Sequence, residues 1–229
     1  MNKDLITGLA MRRGLMRGRV SVSYTFHDWI QCDETTNTSY IKTGLIPNRS
    51  NDWTFEGSFA RTALIPSDYK FRCVFTRFVS GTYSSNYSVQ YKAKNQTTIA
   101  FNYNSRGNCE NYAGGVSTSI DIGVWHKFKL TSDPEVSYGG KCTIDENSAV
   151  YNDGSIPNSD VTTELTLLRG YPCRLGRFKV YIQGNLVADM IPATRDTDNA
   201  VGMYDVVRNK FYQPTGSSPF ICGEGFTNF

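Results

Sequence analysis

The sequence predicts an all-β protein built as an antiparallel β-sandwich. Aromatic residues make up 13% of the 229 residues, with 14 Tyr and 13 Phe, and aromatic side chains favour strands. About a dozen or more short runs alternate bulky and polar residues with the period of two that is typical of strands. Turn residues separate these runs, and a chain of this length suits one large sandwich domain.

The stretch from Phe178 to Tyr212 organises the chain, because closely spaced strand runs and turn signals within it predict consecutive antiparallel hairpins. Pro192 is expected to end one of these strands, since proline lacks the N–H that a ladder requires. The predicted strands are Phe178–Ile182, Leu186–Ile191, Val201–Asp205 and Phe211-Tyr212, with turns at Gly184-Asn185 and Arg208–Lys210.

The rest of the chain after residue 19 follows the same alternating pattern. Residues 79–88, 104–119 and 152–160 are rich in Gly, Ser, Asn and Tyr and are predicted to be loops. The Lys141–Tyr151 segment contains two runs around Asp145-Glu146-Asn147, which is a hairpin signal. The other predicted strands are Val20–Tyr24, Trp29–Cys32, Tyr40-Ile41, Trp53–Phe59, Lys70–Phe78, Tyr87–Tyr91, Thr98–Tyr103, Val124–Leu130 and Glu164–Leu168.

Residues 1–19 differ from everything after them, because arginines and aliphatic residues interleave there without a strand pattern. We expect a docking arm that anchors the sandwich of residues 20–229 to a larger assembly. The alternatives are a frayed basic terminus and contact with packaged nucleic acid. The expected anchor residues are Leu5, Ile6, Leu9, Arg12, Arg13, Leu15, Met16, Arg17 and Arg19.

Charge and cysteine usage exclude several classes of protein. The net charge of +3 is too small to indicate nucleic-acid binding by itself, and no apolar run approaches the ~20 residues that span a membrane. Arginines interrupt the first twenty residues, so no signal peptide is expected, and the chain should begin at Met1 and fold in a cytoplasm. The six cysteines are widely spaced, which favours free thiols over disulfides or a zinc site.

Sequence motifs carry a resemblance across roughly residues 28–222. Asp-Met-Ile-Pro-Ala at 189–193, Gly-Met-Tyr-Asp-Val-Val at 202–207 and Lys-Phe-Tyr at 210–212 resemble the C-terminal end of laminin-G-like jelly rolls. Trp29–Asp33, Tyr40–Gly44 and the Trp125-His126 pair are similar to other strands of such domains. The resemblance is to the concanavalin A-like lectin/glucanase class, and to a subgroup common in phage and prophage virion proteins of gut bacteria.

The glucanases of that class carry acids in a Glu-x-Asp-x-x-Glu pattern, which this sequence lacks, so we expect no enzyme. His126 and His27 are expected to be structural rather than catalytic. The oxygen-rich cluster of Asp196, Asp198 and Asn199 could hold calcium, but turn geometry explains these residues better. No cofactor and no metal site are therefore predicted.

Two loops rich in Tyr, Ser, Gly and Asn have the composition of adaptable recognition surfaces, and sugars stack on aromatic rings. Ordinary solvated loops and contacts to a neighbouring subunit are equally compatible with this composition. The candidate ligand-binding residues are Tyr83, Tyr87, Tyr103, Arg106, Asn108 and Tyr112.

The resemblance implies a phage virion structural protein: a head fibre, decoration or tail-associated protein, assembled in the host cytoplasm. Its partners would be other virion proteins, held through the arm, and host-surface or mucosal glycans, with several copies or a homo-oligomer on the particle. The alternatives are a purely architectural virion component without a ligand and a secreted bacterial carbohydrate-binding module. A glycoside hydrolase is disfavoured by the missing acid pattern.

Overall fold

The computed structural model describes residues 22–32, 39–48, 50–63, 73–77, 86–91, 98–105, 114–132, 139–152, 163–169 and 172–224. These residues form eighteen strands and no helix. The strands are β1 Tyr24–Phe26, β2 Trp29–Cys32, β3 Tyr40–Lys42, β4 Trp53–Arg61, β5 Cys73–Arg77, β6 Asn86–Tyr91, β7 Thr98–Ser105, β8 Gly114–Ser117, β9 Trp125–Ser132, β10 Gly139–Ile144, β11 Asn147–Asn152, β12 Thr166–Arg169, β13 Cys173–Ile182, β14 Asn185–Arg195, β15 Ala200–Asp205, β16 Lys210–Tyr212, β17 Pro214–Thr215 and β18 Phe220–Gly223.

The strands form two sheets whose ladders are all antiparallel. The larger, eleven-stranded sheet has the order β11-β10-β9-β4-β13-β14-β15-β16, with β1 beside β14 and β2 between β13 and β18. The smaller, seven-stranded sheet has the order β17-β3-β12-β5-β6-β7-β8. The predicted all-β, antiparallel sandwich of the jelly-roll class is confirmed.

Aromatic side chains from both sheets meet between them and make the centre of the core. Phe75 of the smaller sheet lies 5.0 Å from Phe55 and 5.4 Å from Phe178 of the larger sheet, measured between ring centroids. All three rings are fully buried. Because burying one such side chain contributes about 1.5–3 kcal/mol, this aromatic layer is a large part of what holds the sheets together.

The structure corrects the expectation that Pro192 ends a strand. β14 continues to Arg195, and Pro192 pairs with Met203 of β15. On the other side of β14, β13 pairs as far as Met190 and β1 pairs from Ala193, so Pro192 lies where one neighbour replaces the other. Its carbonyl accepts a hydrogen bond from His27 N at 2.9 Å, and the missing N–H falls in the gap between the two ladders.

Local details of two other predictions also change. Within residues 104–119, which we expected to be a loop, β8 pairs with β7. The β13–β14 turn lies at Gln183-Gly184, one residue earlier than predicted, and both residues have positive φ, at 50° and 78°. Two successive residues with positive φ make a two-residue turn whose twist matches that of the flanking strands. The hairpin predicted around Asp145 is confirmed as β10 and β11.

The N-terminal arm, residues 1–19, lies outside the described residues, so the proposed domain boundary stays a prediction. No helix suited to spanning a membrane occurs in the part of the chain that the structure describes.

Five cysteines lie in the described residues, and all five are free thiols. Cys32 and Cys173 are direct register partners on β2 and β13, and both are buried. Burial raises the pKa of the Cys173 thiol well above its ordinary value, and the neighbouring Cys32 raises it further. Burial also raises the pKa of Cys222 to about 12. Such thiols are poor nucleophiles and oxidise slowly.

We therefore expect the protein to contain six free thiols, since the sequence has six cysteines. The measurement is a thiol titration of protein denatured without reductant, followed by peptide mapping. A disulfide that joins the Cys32 peptide to the Cys173 peptide would contradict the expectation, and it is the disulfide to look for, because these two cysteines are direct register partners in the described sheet.

Candidate ligand-binding site on the larger sheet

The larger sheet has one face toward the core and one face away from it, and the second, outer face carries a row of charged side chains. Strand register aligns Lys129 with Glu56, Glu56 with Lys179, and Lys179 with Asp189. Thr143 of β10 extends the row beyond Lys129. Because adjacent strands lie about 4.8 Å apart, these five positions span about 19 Å across the sheet.

Glu56 lies at the centre of this row and is held from one side. Its Oε1 atom lies 2.8 Å from Lys129 Nζ. The Tyr181 hydroxyl also hydrogen-bonds Glu56, and Tyr181 has a raised pKa, chiefly through burial and then through the charge of Glu56. Lys179, on the other side of Glu56, makes no ion pair with a carboxylate of the described residues.

A β-bulge places Arg177 on the same face. The register of β13 against β4 shifts between Leu175 and Phe178, so two residues of β13 stand opposite one residue of β4. The guanidinium group of Arg177 donates from Nε and Nη2 to the two carboxylate oxygens of Asp189. These hydrogen bonds raise the pKa of Arg177, so the group stays charged, and they fix its orientation.

The turn between β10 and β11 places Asp145 at the other side of the face. Asp145 has a φ of 53°, a conformation that Asp and Asn adopt more readily than most residues. One of its carboxylate oxygens accepts from Lys127 N at 2.8 Å, and the other lies 2.8 Å from His126 Nδ1. Both oxygens of Asp145 are therefore used to hold the start of β9 against the turn.

These side chains surround a cavity of about 330 Å³ on the outer face, which we call the cationic pocket. Four cationic and two acidic side chains line it, and Thr143 adds a hydroxyl. The ammonium group of Lys127, like that of Lys179, has no carboxylate partner among the described residues. The pocket lining is Glu56, Gly57, Lys127, Phe128, Lys129, Thr143, Asp145, Arg177 and Lys179.

A second feature, the aromatic cluster, consists of Tyr24, Phe26, Tyr204 and Phe211 on β1, β15 and β16. The Tyr24 ring centroid lies 4.5 Å from that of Tyr204 and 5.3 Å from that of Phe211. Phe26 packs edge-on against Tyr204 at 5.8 Å and is 37% exposed. The cluster leaves aromatic surface open to solvent at this end of the sheet.

The aromatic cluster and the cationic pocket share the outer face. Tyr204 is the register partner of Ile191 on β14, and Asp189, the partner of Arg177, lies two residues earlier on that strand. Residues two apart in a strand point to the same side. Asp189 therefore lies between the pocket, which Arg177 lines, and the aromatic rings.

The structure places two of the sequence-predicted ligand residues in the core. Tyr87 is fully buried, and its hydroxyl donates to Asn48 O at 2.8 Å. Tyr103 packs edge-on against it, and the Tyr103 hydroxyl accepts from Trp53 N at 2.9 Å. Burial raises the pKa of Tyr103 to about 12. This corrects the expectation for both residues, because their rings face the core and present no surface to a ligand.

The other predicted site residues cannot be compared with the structure. Tyr83, Arg106, Asn108 and Tyr112 lie outside the described residues, as do the nine anchor residues of the arm, so their roles stay predictions. The carboxylate of Asp196 accepts a hydrogen bond from Thr25 of β1, and the carboxylate of Asp198 accepts from Arg195 across the β14–β15 turn. Within the described ranges, no group of three His, Cys, Asp or Glu side chains is arranged to hold a metal ion.

No family model and no curated protein matches the chain. Among solved structures, it is similar to the CBM40 module of the Ruminococcus gnavus IT-sialidase, both alone and bound to α2,3-sialyllactose. For both structures the identity is 15% and the TM-score is 0.46, and the match covers 69% of this chain and 91% of the module. The phage and virion context stays a prediction after these comparisons.

A test of the core position of Tyr103 is its replacement by Phe. We expect Tyr103→Phe to lower the free energy of unfolding by about 1–3 kcal/mol, because it leaves the buried N–H of Trp53 without its acceptor. The measurement is denaturant unfolding, with Tyr181→Phe as the control, since Tyr181 is more exposed and should change stability by less than about 0.5 kcal/mol. Equal stability of wild type and Tyr103→Phe would show that this hydroxyl has no structural role.

Proposed function

We propose that the protein is a non-catalytic, glycan-binding module whose ligand lies on the outer face of the larger sheet. The observation that carries this proposal is the presence, on one open sheet face, of a polar pocket and exposed aromatic rings. A sugar has apolar C–H faces and many hydroxyl groups. It therefore needs aromatic surface and hydrogen-bonding groups within reach of each other.

The size and the chemistry of the pocket fit such a ligand. Pockets for small ligands are usually about 300–1,000 Å³, and this pocket, at about 330 Å³, lies at the lower end of that range. It accommodates the end of a glycan rather than a long stretch of one. Lys127, Lys179 and Thr143 offer donors to sugar hydroxyls, and Glu56 and Thr143 offer acceptors.

A binding role explains the two pocket carboxylates better than catalysis does. Glu56 is paired with Lys129, and Asp145 is held by His126 and by the backbone of Lys127. These contacts make both acids part of the frame that positions the cations. Glycoside hydrolysis instead requires one carboxyl group that donates a proton to the leaving group and a second that acts as nucleophile or base.

The aromatic cluster provides the test of this function. We expect Phe26→Ala and Tyr204→Ala each to weaken glycan binding by about 2- to 12-fold, because one aromatic contact contributes about 0.5–1.5 kcal/mol. Ligands would be found on a microarray of neutral and acidic glycans, and affinities measured by titration calorimetry.

The matched control is Tyr40→Ala, which removes a partly exposed ring from the smaller sheet, where Arg169 stacks on it. The glycan affinity of Tyr40→Ala should equal that of the wild type. Near-wild-type affinity of both Phe26→Ala and Tyr204→Ala would place the glycan elsewhere on the molecule. Failure of the wild type to bind any glycan would overturn the proposed function.

The biological setting is a separate part of the proposal. A module of this kind serves equally as a virion structural protein with adhesive function and as a secreted bacterial carbohydrate-binding module. The first setting rests on the resemblance of the motifs in residues 189–212 to laminin-G-like domains of a subgroup common in virion proteins, with residues 1–19 as the anchor. Glycan binding by the sandwich is common to both.

Deletion of residues 1–19 tests the anchor. We expect the truncated protein to keep its strand-rich circular dichroism spectrum and its glycan affinity, because the described strands begin at Tyr24. In the virion setting it should no longer join the particle. A truncated protein that does not fold would make the arm part of the domain, and one that still assembles would place the anchor on the sandwich.

A further inference from the structure

We infer that the glycan carries an anionic group, a carboxylate or a sulfate, and that Lys127, Arg177 and Lys179 receive it in the cationic pocket. This inference rests on the proposed function, because it names the chemical class of the glycan that the same face binds.

The first support is the imbalance of charge in the pocket. Four cations and two carboxylates line it, both carboxylates already have protein partners, and Asp189 beside the pocket neutralises Arg177, so one positive charge remains in excess. Glu56 neutralises Lys129, whereas Lys127 and Lys179 have no carboxylate within ion-pair distance in the described part of the chain. Two ammonium groups around one small cavity repel each other, and an anion between them removes that repulsion.

The second support is the fixed orientation of the Arg177 guanidinium group and the donors that it has left. Its Nε and Nη2 groups are used by Asp189, which leaves Nη1 and the second Nη2 hydrogen as donors. Asp189 holds the guanidinium group in one orientation, so these donors are already positioned and little side-chain entropy is lost on binding. Carboxylate and sulfate oxygens accept such charge-assisted hydrogen bonds at short distance.

A buried hydroxyl without a partner in the described part of the chain lies beneath the same face, although it does not line the pocket. Ser58 is the register partner of Lys127 on β4, and it lies opposite the bulge that carries Arg177. Its Oγ atom is buried and has no hydrogen-bond partner among the described residues. A buried polar group without a partner destabilises a protein, so a position of this kind often indicates a ligand or water site.

Calorimetric titration with matched sugars tests the inference. The probes are lactose, sialyllactose, which adds one carboxylate, sulfated lactose, and sodium sulfate alone. We expect at least one of the two acidic sugars to bind about tenfold or more tightly than lactose. Raising the salt concentration from 50 to 500 mM should reduce this preference, because salt screens charges in a pocket open to solvent.

The variants are Lys127→Gln and Lys179→Gln, which remove the charge and keep most of the side chain. Each should lower affinity for the acidic sugar by about tenfold and lower affinity for lactose by less than that, because glutamine can still donate to a hydroxyl group but carries no charge. The control is Lys141→Gln, an exposed lysine on the same face of β10 that does not line the pocket. Its acidic-sugar affinity should match that of the wild type.

Two contrary outcomes are distinguishable. If the wild type binds lactose and the acidic sugars equally, and both lysine variants behave as the wild type, the anionic class is wrong and the glycan-binding function stands. If none of the sugars nor any glycan on the array binds, the proposed function fails, and the inference fails with it. If sodium sulfate alone binds as tightly as sulfated lactose, the pocket is an anion site rather than a glycan site, which overturns the inference as stated.

Discussion

The structure depends on the pairing of β4 with β13 at the centre of the larger sheet. These strands share eight register pairs, the longest ladder of the described chain. On the inner side they bring Phe55 and Phe178 against Phe75 of the smaller sheet. On the outer side they bring Glu56 beside Lys179. Because side chains alternate along a strand, one register specifies both the core and the candidate site.

The bulge in β13 allows an arginine to lie in this otherwise regular ladder. Without the extra residue, strict alternation after Leu175 would point the side chain of residue 177 toward the core and that of residue 178 toward the outer face. The bulge keeps Phe178 in the core and sends Arg177 outward to Asp189. Gly57 lies opposite, and a Cβ there would come within 2.9 Å of Arg177 O and of the Phe128 ring. A side chain at position 57 is therefore excluded beside the bulge.

The fold could be predicted from the sequence because local periodicity carries most of the information. Alternating runs such as Trp53–Phe59 and the Asp145 hairpin need no distant contact to be recognised. The incorrect predictions concern features that depend on neighbouring strands. Pro192 is tolerated because the ladder between β13 and β14 ends beside it and the ladder between β1 and β14 begins there. β8 forms on a weak Gly-Gly-Val-Ser sequence because β7 offers it an edge. Neither neighbour is visible in the local pattern.

The candidate site could not be predicted in the same way, because composition does not distinguish a surface tyrosine from a core tyrosine. Tyr87 and Tyr103 fall at inward positions of β6 and β7 and pack against each other, although the loops beside them have the composition of a binding surface. The pocket residues were present in the sequence as outward positions of alternating runs. Their function depends on the order of the strands, which brings β9, β4 and β13 together from distant parts of the chain. Charges at the outward positions of these central strands were the signal to follow.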